Sequence, residues 1–293
     1  MIARTAIVGL LAAWAAGLAA TPAVADPVCG QTAVMSRLQA ELAKPRGALL
    51  IAAHRAGHLE APENSLAAID EAVREGADIV EIDVKVSADG VPFLMHDQTV
   101  TRTTGGAGEA ESLTYAQLRR LRLEDSSEPP PTLVEAFRKT CGRVLVDLDL
   151  KTDRIGPVVA AVQGLGMTDQ VVFFDSDGAV LRAVRELAPR ALLMPRVSRS
   201  DGLAAAVEGL PAATIIHGDP ESLTPQLRNG ARALPARIWV NSLGDVDEAL
   251  AVRATDLCSR LEGLLVLDAN VIQTDRPRGL RRAVSDCGLA ALP

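Results

Sequence analysis

Residues 144–151 read VLVDLDLK, and the fold turns on which way that alternation faces. Leu145, Asp147, Asp149 and Lys151 share one face, while Val144, Val146, Leu148 and Leu150 share the other. This is the period-two pattern of a strand. On a half-exposed antiparallel sheet it would be ordinary polar-out, apolar-in alternation. In a parallel barrel the apolar face packs under helices, and the carboxylates must look inward. Buried like charges are costly unless protons, cations or a metal neutralise them. A second stretch, residues 79–86 (IVEIDVKV), repeats the logic with Glu81, Asp83 and Lys85 on one face. Two carboxylates two positions apart on a strand point the same way and are close enough to share one cation.

Working outward, apolar runs recur at 48–53, 171–174, 191–196, 214–217, 238–241 and 271–274, which with the two acidic stretches predicts eight strands. Helical periodicity lies between them, at 65–75, 132–140, 155–165, 179–187, 203–209, 223–233, 246–254 and 257–265. Further helices are expected at 32–43, 114–123 and 279–287, and a short extended return at 91–95. Alternating β and α units build a parallel sheet, and eight of them suit a closed (β/α)8 TIM barrel. An open doubly wound sheet is the alternative, but no GxGxxG follows a strand.

The N-terminus is expected to lie outside the fold. Residues 1–5 carry one Arg, 6–20 are apolar, and Ala23-Val24-Ala25 offers a small-x-small cleavage site before Asp26. This is the layout of a secretory signal peptide over 1–25. A lead-in segment at 26–47 and a barrel at 48–293 follow. Pro22 and Asp26 cut the apolar run too short for a stable membrane anchor. An exported, periplasmic or secreted protein is therefore expected. Export makes Cys29, Cys141, Cys258 and Cys287 candidates for disulfides, with the pairing open and free thiols the alternative.

Composition narrows the function. The net charge is −7 with no basic stripe, which argues against nucleic-acid binding. Aromatic residues make up 2 %, too few for the stacking platforms of a glycosidase. Glu81, Asp83 and Asp149 offer hard oxygen ligands suited to one Ca²⁺ or Mg²⁺. Arg55 and Lys151 supply the positive charge an anionic phosphate needs. His54 and His96 can form a general acid–base pair, one deprotonating a nucleophile and the other protonating a leaving alkoxide. His217 ends a predicted strand at the same barrel mouth. His58 has no partner motif and reads as structural. Asn64 can cap the helix that follows it.

These motifs, in order, resemble the glycerophosphodiester phosphodiesterase family: His54-Arg55, Pro62-Glu63-Asn64-Ser65, Glu81-Ile82-Asp83, Asp89-Gly90, His96-Asp97 and Arg102-Thr103-Thr104-Gly105. The similarity continues through Pro131-Thr132-Leu133, Asp149-Leu150-Lys151, Trp239-Val240-Asn241 and Thr274-Asp275-Arg276-Pro277. The resemblance implies a (β/α)8 phosphodiesterase that hydrolyses glycerophosphodiesters to glycerol 3-phosphate and an alcohol. It implies His54 and His96 as the catalytic pair, and Glu81, Asp83 and Asp149 as metal ligands. Arg55 and Lys151 would hold phosphate, with Glu63, His217 and Trp239 as further substrate contacts. The chain departs from the family at Ala56, where HRG is usual, at Asp149, where Glu is usual, and at Asp147, often neutral. A sphingomyelinase-D-like phospholipase acting on intact headgroups, or a non-catalytic phosphodiester-binding barrel, are the alternatives.

Overall fold

A computed structural model describes residues 29–198, 202–210 and 213–289. The expected signal peptide lies outside these residues. Eight parallel strands form the frame: β1 (Leu50–Ala53), β2 (Ile79–Val86), β4 (Leu145–Leu150), β5 (Val171–Asp175), β6 (Leu192–Val197), β7 (Ile215–Gly218), β8 (Arg237–Asn241) and β9 (Val271–Thr274). The short β3 (Pro92–Leu94) folds back antiparallel on β2. β1 pairs with both β9 and β2, so the sheet closes and the open doubly wound alternative fails.

The interior is layered by the register of β2 against β4. Ile79 pairs with Leu145, Glu81 with Asp147, and Asp83 with Asp149. The lowest layer is apolar, joining Ile79 and Leu145 to Leu50, Val172, Ile215 and Val271. The helix Ala33–Leu42 plugs this end, with Met35, Leu38 and Leu42 buried in the same cluster. Arg237 straps it down. Its guanidinium is fully buried and donates to the carbonyls of Leu42, Ala48 and Asn270 and to the Glu41 carboxylate. Outside the strands, Val80, Ile82, Val146 and Leu148 pack beneath the surrounding helices. Burying such side chains contributes roughly 1.5–3 kcal/mol each, enough to carry a polar upper layer.

Two disulfides close the perimeter. Cys29 bonds Cys141 beyond the helix Leu133–Thr140, and Cys258 joins the helix Leu257–Leu265 to Cys287 after Pro277–Asp286. The helix expected over 114–123 is a single turn, Tyr115–Leu118, opened by a Thr114/Gln117 capping box. Among the described residues no helix is long and apolar enough to cross a membrane.

Candidate active site

β1 delivers the first histidine through an unusual turn. After Ala53 the chain makes a short 3₁₀ turn, His54–Ala56, and Arg55, Ala56 and the capping Gly57 have φ of 45°, 68° and 75°. The turn lets the Arg55 backbone N–H donate to Glu81 Oε2 at 2.7 Å. Ala56 holds left-handed backbone at a buried position, where a side chain costs roughly 1–2 kcal/mol. Asn64 also has positive φ, 56°, and its role differs from the expected one. Ser65 caps the helix Leu66–Arg74, accepting from the Ala68 N–H. Asn64 instead grips Asp83, donating from Nδ2 to Oδ2 at 2.7 Å and accepting the Asp83 N–H at 3.0 Å.

Glu81, Asp83 and Asp149 converge at the barrel mouth, with one carboxylate oxygen from each within 4.8 Å of the others. Gln273 donates to Glu81 Oε2, and Lys151 Nζ lies 2.6 Å from Asp149 and 3.5 Å from Asp83. Below them Asp147 is buried, and its Oδ1 has no hydrogen-bond partner. Burial, then the neighbouring carboxylates, holds the Glu81 and Asp147 carboxyls well above the usual range. Burial pushes Asp149 up to about 6 even though Lys151 opposes it. Lys151 and Arg55 are the ion-pair partners of these carboxyls, and Arg196, which also lines the cavity, is paired with Asp219, so the pocket is short of positive charge. Hard oxygen donors and an orphaned buried oxygen are what a divalent cation of the Ca²⁺ or Mg²⁺ kind fits.

The two candidate catalytic histidines share a design. His54 Nδ1 lies 2.8 Å from Asp275 Oδ1, and His96 Nδ1 lies 2.7 Å from Asp97 Oδ1. In each ring Nδ1 is the nitrogen taken up by a carboxylate. Arg102 clamps Asp97 through Nε and Nη2, and that contact, with His96, holds the Asp97 carboxyl far below its usual range. Burial works the other way at Asp275, but His54 and His58 together keep it well below the carboxylate range. His58 stands 3.2 Å from the same Asp275 oxygen, without the alignment of a hydrogen bond. It is not the isolated side chain its sequence context suggests.

Glu63 is outside the carboxylate triad; Arg55 Nη1 and the Arg102 fork occupy its oxygens. Arg55 Nε is buried without a hydrogen-bond partner, 3.8 Å from Asp83. A cavity of about 80 Å³ is lined by His54, His96, the triad and Asp147, with His217 and Trp239 also facing it. Those two are 3 % and 1 % exposed and form its floor. Burial, reinforced by Arg196, lowers the His217 imidazole to about 3, so its ring is neutral near pH 7. Asp275, Arg102 and Gln273 carry no assigned role in the sequence reading. Gln273 lies two positions before Asp275 at the end of β9, a period-two signal that points inward.

The barrel thus brings an acidic triad and two carboxylate-backed histidines to one cavity. The sequence profile of the Glycerophosphoryl diester phosphodiesterase family matches residues 54–205, just over half the chain, and the chain belongs to that family. Rat Glycerophosphodiester phosphodiesterase 1 is 44 % identical over 127 residues, 40 % of this chain and 38 % of that protein. The Glycerophosphodiester phosphodiesterase of Caldanaerobacter subterraneus is 29 % identical over 153 residues, 48 % of this chain and 63 % of that one. The chain thus spans less than two thirds of these relatives. The crystal structure of an Agrobacterium tumefaciens glycerophosphodiester phosphodiesterase is similar with a TM-score of 0.68 and 27 % identity, covering 80 % of this chain and 99 % of that one.

Proposed function

We propose that this protein is an exported, divalent-metal-dependent phosphodiesterase that hydrolyses glycerophosphodiesters to sn-glycerol 3-phosphate and an alcohol. The observation that carries the proposal is the pair of carboxylate-backed histidines facing one cavity with the acidic triad. Family membership and the relatives' names support the substrate class. Two disulfide pairs suit the oxidising compartment that the N-terminal sequence suggests.

In this reading Glu81, Asp83 and Asp149 hold Ca²⁺ or Mg²⁺, which supplies charge neutralisation and Lewis-acid polarisation at a phosphoryl oxygen. Arg55, with an unspent buried Nε–H, and Lys151 orient the phosphate. One imidazole takes the proton of the attacking oxygen at Nε2. The other gives its Nε2 proton to the departing alkoxide, so two P–O bonds exchange without net proton change at the pair. Asp275 and Asp97 fix the tautomers and stabilise the imidazolium forms. His217, neutral and walled by Phe174 and Trp239, shapes the floor on which substrate sits.

The test is coupled detection of glycerol 3-phosphate released from glycerophosphocholine and glycerophosphoethanolamine, with Ca²⁺, Mg²⁺ or EDTA, beside His54→Ala. Release that needs metal and is lost in the variant supports the proposal. Cleavage of lysolipid or sphingomyelin alone would transfer it to the phospholipase reading. A folded protein inert on both sets would be a binding barrel.

A further inference from the structure

The mechanism above makes no use of His58, yet it is drawn to the carboxylate that backs His54. Asp275 Oδ1 is approached by two imidazole nitrogens, His54 Nδ1 at 2.8 Å and His58 Nε2 at 3.2 Å. One ligand atom from each of the three residues lies within 4.8 Å of the others. The rings stand edge-on at 5.8 Å, so their nitrogens converge from different directions. His58 Nε2 is shielded from solvent and makes no hydrogen bond. The two N···O separations lie below the tetrahedron edge of about 3.3 Å expected for metal–ligand bonds of roughly 2.0–2.1 Å, so a small outward shift of the His54 ring admits an ion. The donor set differs from that of the triad. Two imidazoles and one carboxylate suit a borderline ion such as Zn²⁺, whereas three carboxylates suit Ca²⁺ or Mg²⁺.

We propose that His54, His58 and Asp275 form a second metal site, selective for Zn²⁺-like ions, whose occupation switches the enzyme off. The binding site stands on geometry alone; the switching rests on the function proposed above. An ion bound there takes the Nδ1 lone pair of His54. The ring then carries its proton at Nε2 and no longer cycles between neutral and imidazolium forms. Binding at His54 only shifts that ring's proton from Nδ1 to Nε2, whereas at His58 it displaces the proton that Nε2 carries when paired with Asp275. His58 is what sets this chain's site apart from a histidine–carboxylate pair, because a site of two ligands would not hold the ion.

The experiment titrates ZnCl₂ into the whole protein by calorimetry with Mg²⁺ or Ca²⁺ saturating the triad. It is repeated in buffers of different ionisation enthalpy and with His58→Ala and His58→Gln. The expected result is one zinc site, proton release, and affinity weakened at least about tenfold in both variants, the low end of what losing even an outer partner of a ligand costs. Co²⁺ should give a visible absorption band in the wild type that both variants lose. In turnover assays, zinc inhibition should weaken in parallel while basal activity is kept. Zinc binding of equal strength in the variants, or no binding, would overturn the site. A clear binding isotherm without any phosphodiester turnover would leave the site standing and refute only the proposed function.

Discussion

Asp149→Asn should make the metal-free protein gain stability relative to wild type as pH rises. Burial pushes the Asp149 carboxyl from 3.8 up to about 6 against the pull of Lys151. The folded state therefore binds this proton more tightly than the unfolded chain. The stability it lends is fully present below about pH 3.8 and is lost as pH rises through about 6. A shift of that size corresponds to about 3 kcal/mol over the whole window. Between about pH 5 and about pH 7.5 the loss is about 1.4 kcal/mol. Asn cannot titrate and escapes it. Glu81 and Asp147, both held high by burial and like charges, lose a repelling neighbour in the variant, which acts in the same direction. His217, lowered to about 3, makes folded stability fall as pH drops below its unfolded value, but it does so in both proteins and cancels. Urea denaturation in EDTA at the two pH values gives the difference directly. A difference between the proteins that does not change with pH would refute the claim that the Asp149 carboxylate is buried and under-neutralised.

Three further substitutions probe other parts of the structure. Asp275→Asn removes the carboxylate that holds His54 and should lower kcat by about a hundredfold with KM changed by less than roughly threefold, read in steady-state assays. Ala56→Gly relieves left-handed backbone at a buried alanine and should stabilise the fold by about 1 kcal/mol in urea melts. Arg237→Met removes the buried guanidinium that donates to Glu41 and to the carbonyls of Leu42, Ala48 and Asn270, and should cost about 1–3 kcal/mol, measured the same way.

The barrel was legible because its evidence is local. Each strand is an apolar run of the right length, and VLVDLDLK and IVEIDVKV place their carboxylates on one face whatever the neighbours. The triad follows from register, since Asp83 pairs with Asp149 once β2 and β4 lie in parallel. The roles of partners that meet only on closure were not legible. His54 and Asp275 are 221 positions apart and come together because β1 and β9 seal the barrel. The disulfide partner of Cys29, 112 positions away, is of the same kind. The 114–123 segment misleads for a different reason. Leu118 and Leu121 have helical spacing, but they serve a small cluster with Phe93, Met95 and Val100, and one turn of helix suffices to seat them. At Asn64 the ambiguity is chemical. The same short amide that caps helices also tolerates positive φ, and here that conformation turns it onto Asp83.

The central claim is that His54 and His96 divide acid and base work in phosphodiester hydrolysis. Its most direct test compares His54→Ala and His96→Ala on glycerophosphocholine and on a nitrophenyl phosphodiester, whose leaving group needs no proton. The account predicts that both variants fail on glycerophosphocholine, while one of them, the acid, recovers most of its activity on the nitrophenyl ester. Near-wild-type turnover of glycerophosphocholine by either variant, or equal loss by both on the two substrates, would contradict it.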